Sequence, residues 1–117
     1  MIGRQERAAA KLEHIDQQIE SLSRAQGVRA VQGVKMGSQA EAIEFQVWRK
    51  RVIEHYVDKP DRVLKARITA LRKRTGSELW DVRYSADLSG VDEVQKKAIC
   101  EAFLLEYLLG TYPEGGS

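Results

Sequence analysis

The stretch that decides the fold runs from residue 4 to residue 26 and reads RQERAAAKLEHIDQQIESLSRAQ. It contains neither proline nor glycine, and its apolar side chains recur at spacings of four, three, four and three residues, at Ala8, Leu12, Ile15, Ile19 and Leu22. Heptad spacing of this kind is typical of a helix that lies along another helix. The sequence therefore predicts a long helix over residues 4–26 that Gly27 ends.

A glycine-rich connector, GVRAVQGVKMGS at residues 27–38, follows this helix. Its apolar residues alternate, so a short strand over residues 28–36 is an open alternative within it. Ser38, with Glu41 three residues later, predicts the capped start of a second helix. That helix carries an apolar face suited to antiparallel packing against the first, with large side chains at Phe45, Trp48, Val52 and Tyr56.

A third helix is predicted over residues 61–74, because Pro60 breaks the second helix and suits the first turn of the next. Its core positions are Leu64, Ile68 and Leu71. At about 100° per residue, a different face about 100° wide carries cations and no anion. We call this set the cation face of the third helix: Arg62, Lys65, Arg72 and Lys73, with Thr69 among them.

The segment from residue 78 to residue 88 fits two structures. Its apolar and polar residues alternate from Trp80 to Leu88, which favours a strand. Ser77 as a cap and the pairing of Trp80 with Tyr84 favour a short helix instead. We favour the short helix or an extended turn, and the alternative is a two-stranded ribbon of residues 28–36 and 80–86.

The last helix is predicted to begin at Ser89 to Glu93 and to end at Gly110. Its second half, AICEAFLLEYLL at residues 98–109, is apolar on nearly every side. Such a helix is either the centre of a bundle or buries its outer face against another subunit. The second possibility makes the chain a homo-oligomer whose interface includes Leu104, Leu105, Leu108 and Leu109.

These elements predict a mainly α fold, a small bundle of four to five helices with a long N-terminal helical hairpin. The 117 residues suit a single domain. Its segments are, in order, a heptad-type helix, a connector, a basic helical pair, an acidic and apolar part and a tail, at residues 1–26, 27–38, 39–76, 77–110 and 111–117.

Charge is segregated along the chain, although 19 basic and 17 acidic side chains nearly cancel overall. Residues 1–46 carry six of each sign and are neutral. Residues 47–76 carry ten basic and three acidic side chains, a net charge of +7, and residues 77–117 carry three basic and eight acidic ones, a net charge of −5. This basic centre followed by an acidic end is the most informative feature of the composition.

Several classes of protein are not expected from this composition. Cys100 is the one cysteine, so no intrachain disulfide can form. Neither a secretory signal nor an apolar run long enough to cross a membrane is present, so we expect a cytoplasmic protein. His14 and His55 lack metal-ligand spacing. We expect no enzyme, no metal site and no cofactor, since no nucleophile or acid–base pair can be assembled.

Two hypotheses for function remain. The first is a small non-enzymatic nucleic-acid-associated or regulatory protein that contacts phosphates through the cation face, with Arg49 and Lys50 as further nucleic-acid-binding residues. The second is a helical interaction module, such as an adaptor, inhibitor or assembly factor, that self-associates and binds a protein partner. In the second case the basic and acidic segments would meet between subunits or engage a charged partner.

Overall fold

The computed structural model describes residues 3–31, 36–75 and 92–111. Within these ranges the chain forms four helices and no strand: α1 (Arg4–Val31), α2 (Met36–Tyr56), α3 (Asp61–Thr75) and α4 (Glu93–Leu109). The prediction of a mainly α fold is thereby confirmed. Contacts divide the chain into two compact units, residues 1–54 and 55–117. The single domain stays a prediction.

The connector between α1 and α2 is shorter than the sequence suggests. Gly27 does not end α1, which continues to Val31. A glycine inside a helix costs only about 1 kcal/mol relative to alanine, so helical neighbours can carry the helix through it. Helix α2 begins at Met36, so the predicted cap at Ser38 was wrong as well.

The predicted ribbon is also wrong where it can be checked. Residues 28–31 of its first strand are helical, as is Met36. Its second strand, residues 80–86, lies outside the described residues, as do the rest of the segment from 78 to 88 and the tail from residue 112.

In the N-terminal unit, the heptad positions of α1 are covered as predicted. Ala8 and Ile15 are buried, and Leu12, Ile19 and Leu22 are half-buried. On α2 the rings of Phe45 and Trp48 lie 5.4 Å apart. Polar contacts join Arg49 to Gln18 and Lys50 to Asp16. Both contacts join α1 to α2 within this unit.

In the C-terminal unit, α3 begins where the sequence places it. The Val63 N–H donates to the Pro60 carbonyl at 2.9 Å, which closes the first turn of the helix. Leu64, Ile68 and Leu71 are buried, and this confirms the predicted core positions. Helix α3 packs against α4.

Both ends of α4 are capped, the C-terminal end by Gly110 as predicted and the N-terminal end by Asp92, three residues after the predicted start at Ser89. The Asp92 carboxylate accepts a hydrogen bond from the Val94 N–H at 2.8 Å. At the other end Gly110 adopts a left-handed conformation with φ 82°, and its N–H donates to the carbonyls of Glu106 and Tyr107. Ser89 lies outside the described residues.

Candidate nucleic-acid interface

The cation face of α3 is exposed. Arg62, Lys65, Arg72 and Lys73 all lie on the surface, whereas the buried positions of the helix form a narrow stripe of Leu64, Ile68, Leu71 and Thr75. The Thr75 hydroxyl donates to the Leu71 carbonyl at 3.0 Å, so this polar side chain is accommodated within the buried stripe. The apolar stripe thus holds α3 in place and turns its cations outward.

The acidic C-terminal segment neutralises some basic side chains of α3 within the same unit. The Arg67 guanidinium donates from Nε to Glu101 Oε2 at 2.6 Å and from Nη2 to Glu101 Oε1 at 3.2 Å. Arg72 Nη2 lies 3.9 Å from Glu106 Oε1, an ion pair too long for a hydrogen bond. Both carboxylates belong to the apolar half of α4 and are buried.

These two ion pairs join α3 to α4 at two points. Arg67 and Arg72 are five residues apart, and so are their partners Glu101 and Glu106. Two equal spacings of five residues, one basic and one acidic, were the signal in the sequence that could have identified this pairing.

A tyrosine completes the polar cluster around Glu101. Burial raises the pKa of the Tyr56 hydroxyl, and the negative charge of Glu101 raises it further, while the positive charge of Arg67 lowers it. The hydrogen bond to Glu101 in turn raises the pKa of Arg67. The cluster therefore favours the neutral form of Tyr56 and the charged form of Arg67.

The other three cations of the face, Arg62, Lys65 and Lys73, differ from Arg72 in their contacts. Among the residues described by the structure, none forms a hydrogen bond or an ion pair with the side chains of Arg62, Lys65 or Lys73. The Thr69 hydroxyl, which lies between them in the sequence, donates to the Lys65 carbonyl at 3.0 Å. As far as the described part of the chain goes, three cations on one helix face are thus available to an external anion.

Arg49 and Lys50, predicted to bind nucleic acid together with the cation face, make contacts within the N-terminal unit. Arg49 Nη1 donates to Gln46 Oε1 at 2.7 Å and to Gln18 Oε1 at 3.3 Å. Lys50 Nζ lies 3.1 Å from Asp16 Oδ1. Both side chains are half-buried. They help to join α1 to α2, and this is a structural role that the sequence reasoning missed.

The predicted oligomer interface is largely covered within one chain. Leu104, Leu105 and Leu108 are buried, and Leu109 is half-buried. Side chains already covered in this way do not offer an apolar surface to a second copy. The burial favours the other possibility considered for this helix, that it packs at the centre of its own unit, and self-association stays a prediction.

The residues considered for chemistry are dispersed. His14 and His55 are exposed, and the imidazole of His55 packs edge-on against the ring of Tyr56 at 4.7 Å. Cys100 is half-buried. In residues 3–31, 36–75 and 92–111, no three His, Cys, Asp or Glu side chains are grouped to hold a metal ion.

No family model matches the chain, and neither a curated protein nor a solved structure is similar to it. Among the described helices, none combines the length and the apolar character needed to cross a membrane.

Proposed function

We propose that this protein binds nucleic acid and that the cation face of α3 supplies its phosphate contacts. The observation that carries the proposal is the exposure of Arg62, Lys65 and Lys73 on one helix face, with no anionic partner among the described residues. Phosphate backbones are bound by Lys and Arg side chains clustered in this way.

The length of the face suits a polyanion better than a single small anion. Arg62 and Lys73 are eleven residues apart in the sequence, which corresponds to a rise of about 16 Å along the helix. A duplex carries one negative charge per ~1.7 Å of its axis, so a stretch of this length presents about ten charges. A repeating array of phosphates can therefore meet all four cations at once.

Arg72 makes a weaker contribution than its three neighbours. Its guanidinium is 52% exposed, but it is also attracted to the Glu106 carboxylate at 3.9 Å. A phosphate that approaches Arg72 competes with this carboxylate, whereas a phosphate at Lys65 or Lys73 has no such competitor among the described residues. We therefore expect the three free cations to dominate binding.

The test is a salt titration of binding to a fluorescein-labelled mixed-sequence duplex of about 20 base pairs, followed by fluorescence anisotropy. The variant replaces the three free cations by glutamine, which keeps the helix propensity almost unchanged: Arg62→Gln, Lys65→Gln and Lys73→Gln. Each lost phosphate contact lowers the slope of log K against log salt by ~0.9, so the triple variant should lose ~2.7.

A matched control carries the same loss of charge outside α3, with Arg24→Gln, Arg51→Gln and Lys59→Gln, all at exposed positions. Its slope should stay near that of the unchanged chain. If both triple variants lose the same slope, binding depends on total charge and the cation face has no special part. Circular dichroism confirms that each variant keeps its helices.

The interaction-module hypothesis makes the opposite prediction. That hypothesis expects the basic and acidic segments to pair between subunits. The Arg67–Glu101 and Arg72–Glu106 pairs instead form within one chain, so these four side chains are already paired there. If the protein does not bind the duplex at low salt and elutes as an oligomer in size-exclusion chromatography, the interaction-module hypothesis is supported.

A further inference from the structure

The exposed surface of α3 is wider than the cation face. Its buried residues fall within an arc of about 60° when they are placed at 100° per residue. The helix therefore has exposed side chains around most of its circumference, at residues 61, 62, 65, 66, 69, 70, 72, 73 and 74. A helix exposed over so wide an arc can enter a groove rather than only lie across a surface.

The middle of this surface is a ridge of small residues with a cation at each end, Arg62 and Lys73, and charged residues mark its two edges. Ala66, Thr69 and Ala70 are exposed and lie toward the middle. Lys65 marks one edge, and Arg74 marks the other, about 180° away around the helix. Arg74 is exposed and has no partner among the described residues.

Arg72 lies beside Lys65 on the first edge, and Arg62 and Lys73 lie within the exposed arc between the edges. Positive charge is thus available on both sides of the small-residue ridge.

These dimensions match one groove of one nucleic acid. The major groove of B-form DNA is about 12 Å wide and admits an α-helix, whose diameter with side chains is about 10–12 Å. A-form RNA has a deep and narrow major groove that side chains cannot read. Unpaired strands are bound largely by stacking of bases on aromatic rings, and residues 61–75 contain no aromatic residue.

We infer that α3 lies in the major groove of duplex DNA, with its two charged edges on the phosphates of the two strands. Lys65 and Arg72 contact one strand, Arg74 contacts the other, and Arg62 and Lys73 contact phosphates beyond the two ends of the small-residue ridge. Small side chains at Ala66 and Ala70 allow the helix to approach the base edges closely. The inference rests on the proposed function and adds to it the class of nucleic acid and the second edge.

The experiment measures anisotropy with three labelled probes of one sequence: duplex DNA, duplex RNA and single-stranded DNA. The unchanged chain should bind duplex DNA about tenfold more tightly than duplex RNA, because only the B-form groove is wide enough for the helix. In the DNA salt titration, Arg74→Gln should lower the slope by ~0.9, while Arg24→Gln, an equal loss of charge on α1, should leave it unchanged.

The outcomes separate this inference from the proposed function. Two results would contradict binding in the major groove and still support phosphate binding. One is equal affinity for duplex DNA and duplex RNA. The other is an unchanged salt slope in Arg74→Gln while the triple variant of the cation face shows a lower slope. A triple variant that binds duplex DNA as the unchanged chain does overturns both. Tighter binding to the single strand than to the duplex also overturns the groove.

Discussion

Two basic runs of equal charge have different surroundings in this molecule. On α2 the run Arg49-Lys50-Arg51 is tied to α1 through two of its three side chains, Arg49 and Lys50. On α3, Arg72 Nη2 lies 3.9 Å from Glu106 Oε1, and the side chains of Lys73 and Arg74 have no partner among the described residues. Charge in a sequence thus indicates a binding surface only after the contacts of each cation are known.

The largest expected effect comes from exchanging each run for glutamine and titrating duplex DNA with salt. Loss of Arg72, Lys73 and Arg74 should lower the slope of log K against log salt by about 2 to 3, since each phosphate contact contributes ~0.9. Loss of Arg49, Lys50 and Arg51 should leave that slope nearly unchanged. Equal losses would erase the distinction between the runs.

A smaller effect, on the free energy of unfolding, should follow when the Arg67–Glu101 ion pair between α3 and α4 is broken. Glu101→Gln removes the charge that accepts two hydrogen bonds from Arg67, and the side chains of Glu101 and Arg67 are 12% and 39% exposed. Hydrogen bonds to charged groups contribute about 1.5–3 kcal/mol, so the free energy of unfolding should fall by about that amount.

Urea denaturation followed by circular dichroism measures this loss, and Glu54→Gln is its control. Glu54 is exposed, so its replacement should change the free energy of unfolding by no more than about 0.5 kcal/mol. Similar midpoints for the two variants would show that the Arg67–Glu101 pair does not hold α3 to α4.

The ion pair of the α2 run should contribute less. Lys50 and Asp16 have side chains that are 36% and 54% exposed, so water and salt screen their attraction. Asp16→Asn should lower the free energy of unfolding by less than about 1 kcal/mol, and the difference should vanish in molar salt. If Asp16→Asn lowers the free energy of unfolding as much as Glu101→Gln does, the Lys50–Asp16 pair stabilises the protein no less than the Arg67–Glu101 pair.

The smallest effect is confined to alkaline pH and involves Tyr56. Its folded-state pKa lies above the ordinary value of 10.0, so its contribution to stability is complete below that pH and is lost as pH rises through the folded pKa. Tyr56→Phe has no such group. Urea midpoints of the two chains should therefore differ by a constant below pH 10 and converge, or cross, above it.

A constant difference between the two chains up to pH 11 would contradict the raised pKa of Tyr56. It would also show that the contact between the hydroxyl and Glu101 does not couple ionisation to folding.

Helix type and core positions were predictable because both depend on spacing along one element. The heptad positions of α1 and the Leu64, Ile68 and Leu71 stripe of α3 needed only helical periodicity. The ends of α1 and α2 were less predictable, since the cost of Gly27 is small enough for neighbouring residues to override it.

The candidate site was only partly predictable because exposure depends on other elements. The cation face itself followed from helical periodicity. The contacts of three other cations did not, because their partners lie about 30 residues or more away in the sequence: Arg49 with Gln18, Lys50 with Asp16 and Arg67 with Glu101. The burial of Leu104 and Leu105 likewise depends on what packs around α4, and the sequence of one helix does not contain that information.

The left-handed cap of α4 has a consequence for chirality. At φ 82° Gly110 occupies a region that costs an L-residue about 1–2 kcal/mol. A D-residue reaches the same region without strain. D-alanine introduced there by chemical synthesis should therefore stabilise the chain by about 0.4–1 kcal/mol, because it restricts the unfolded state, whereas L-alanine should destabilise it. The stability of the protein should therefore depend on the chirality of the residue at position 110.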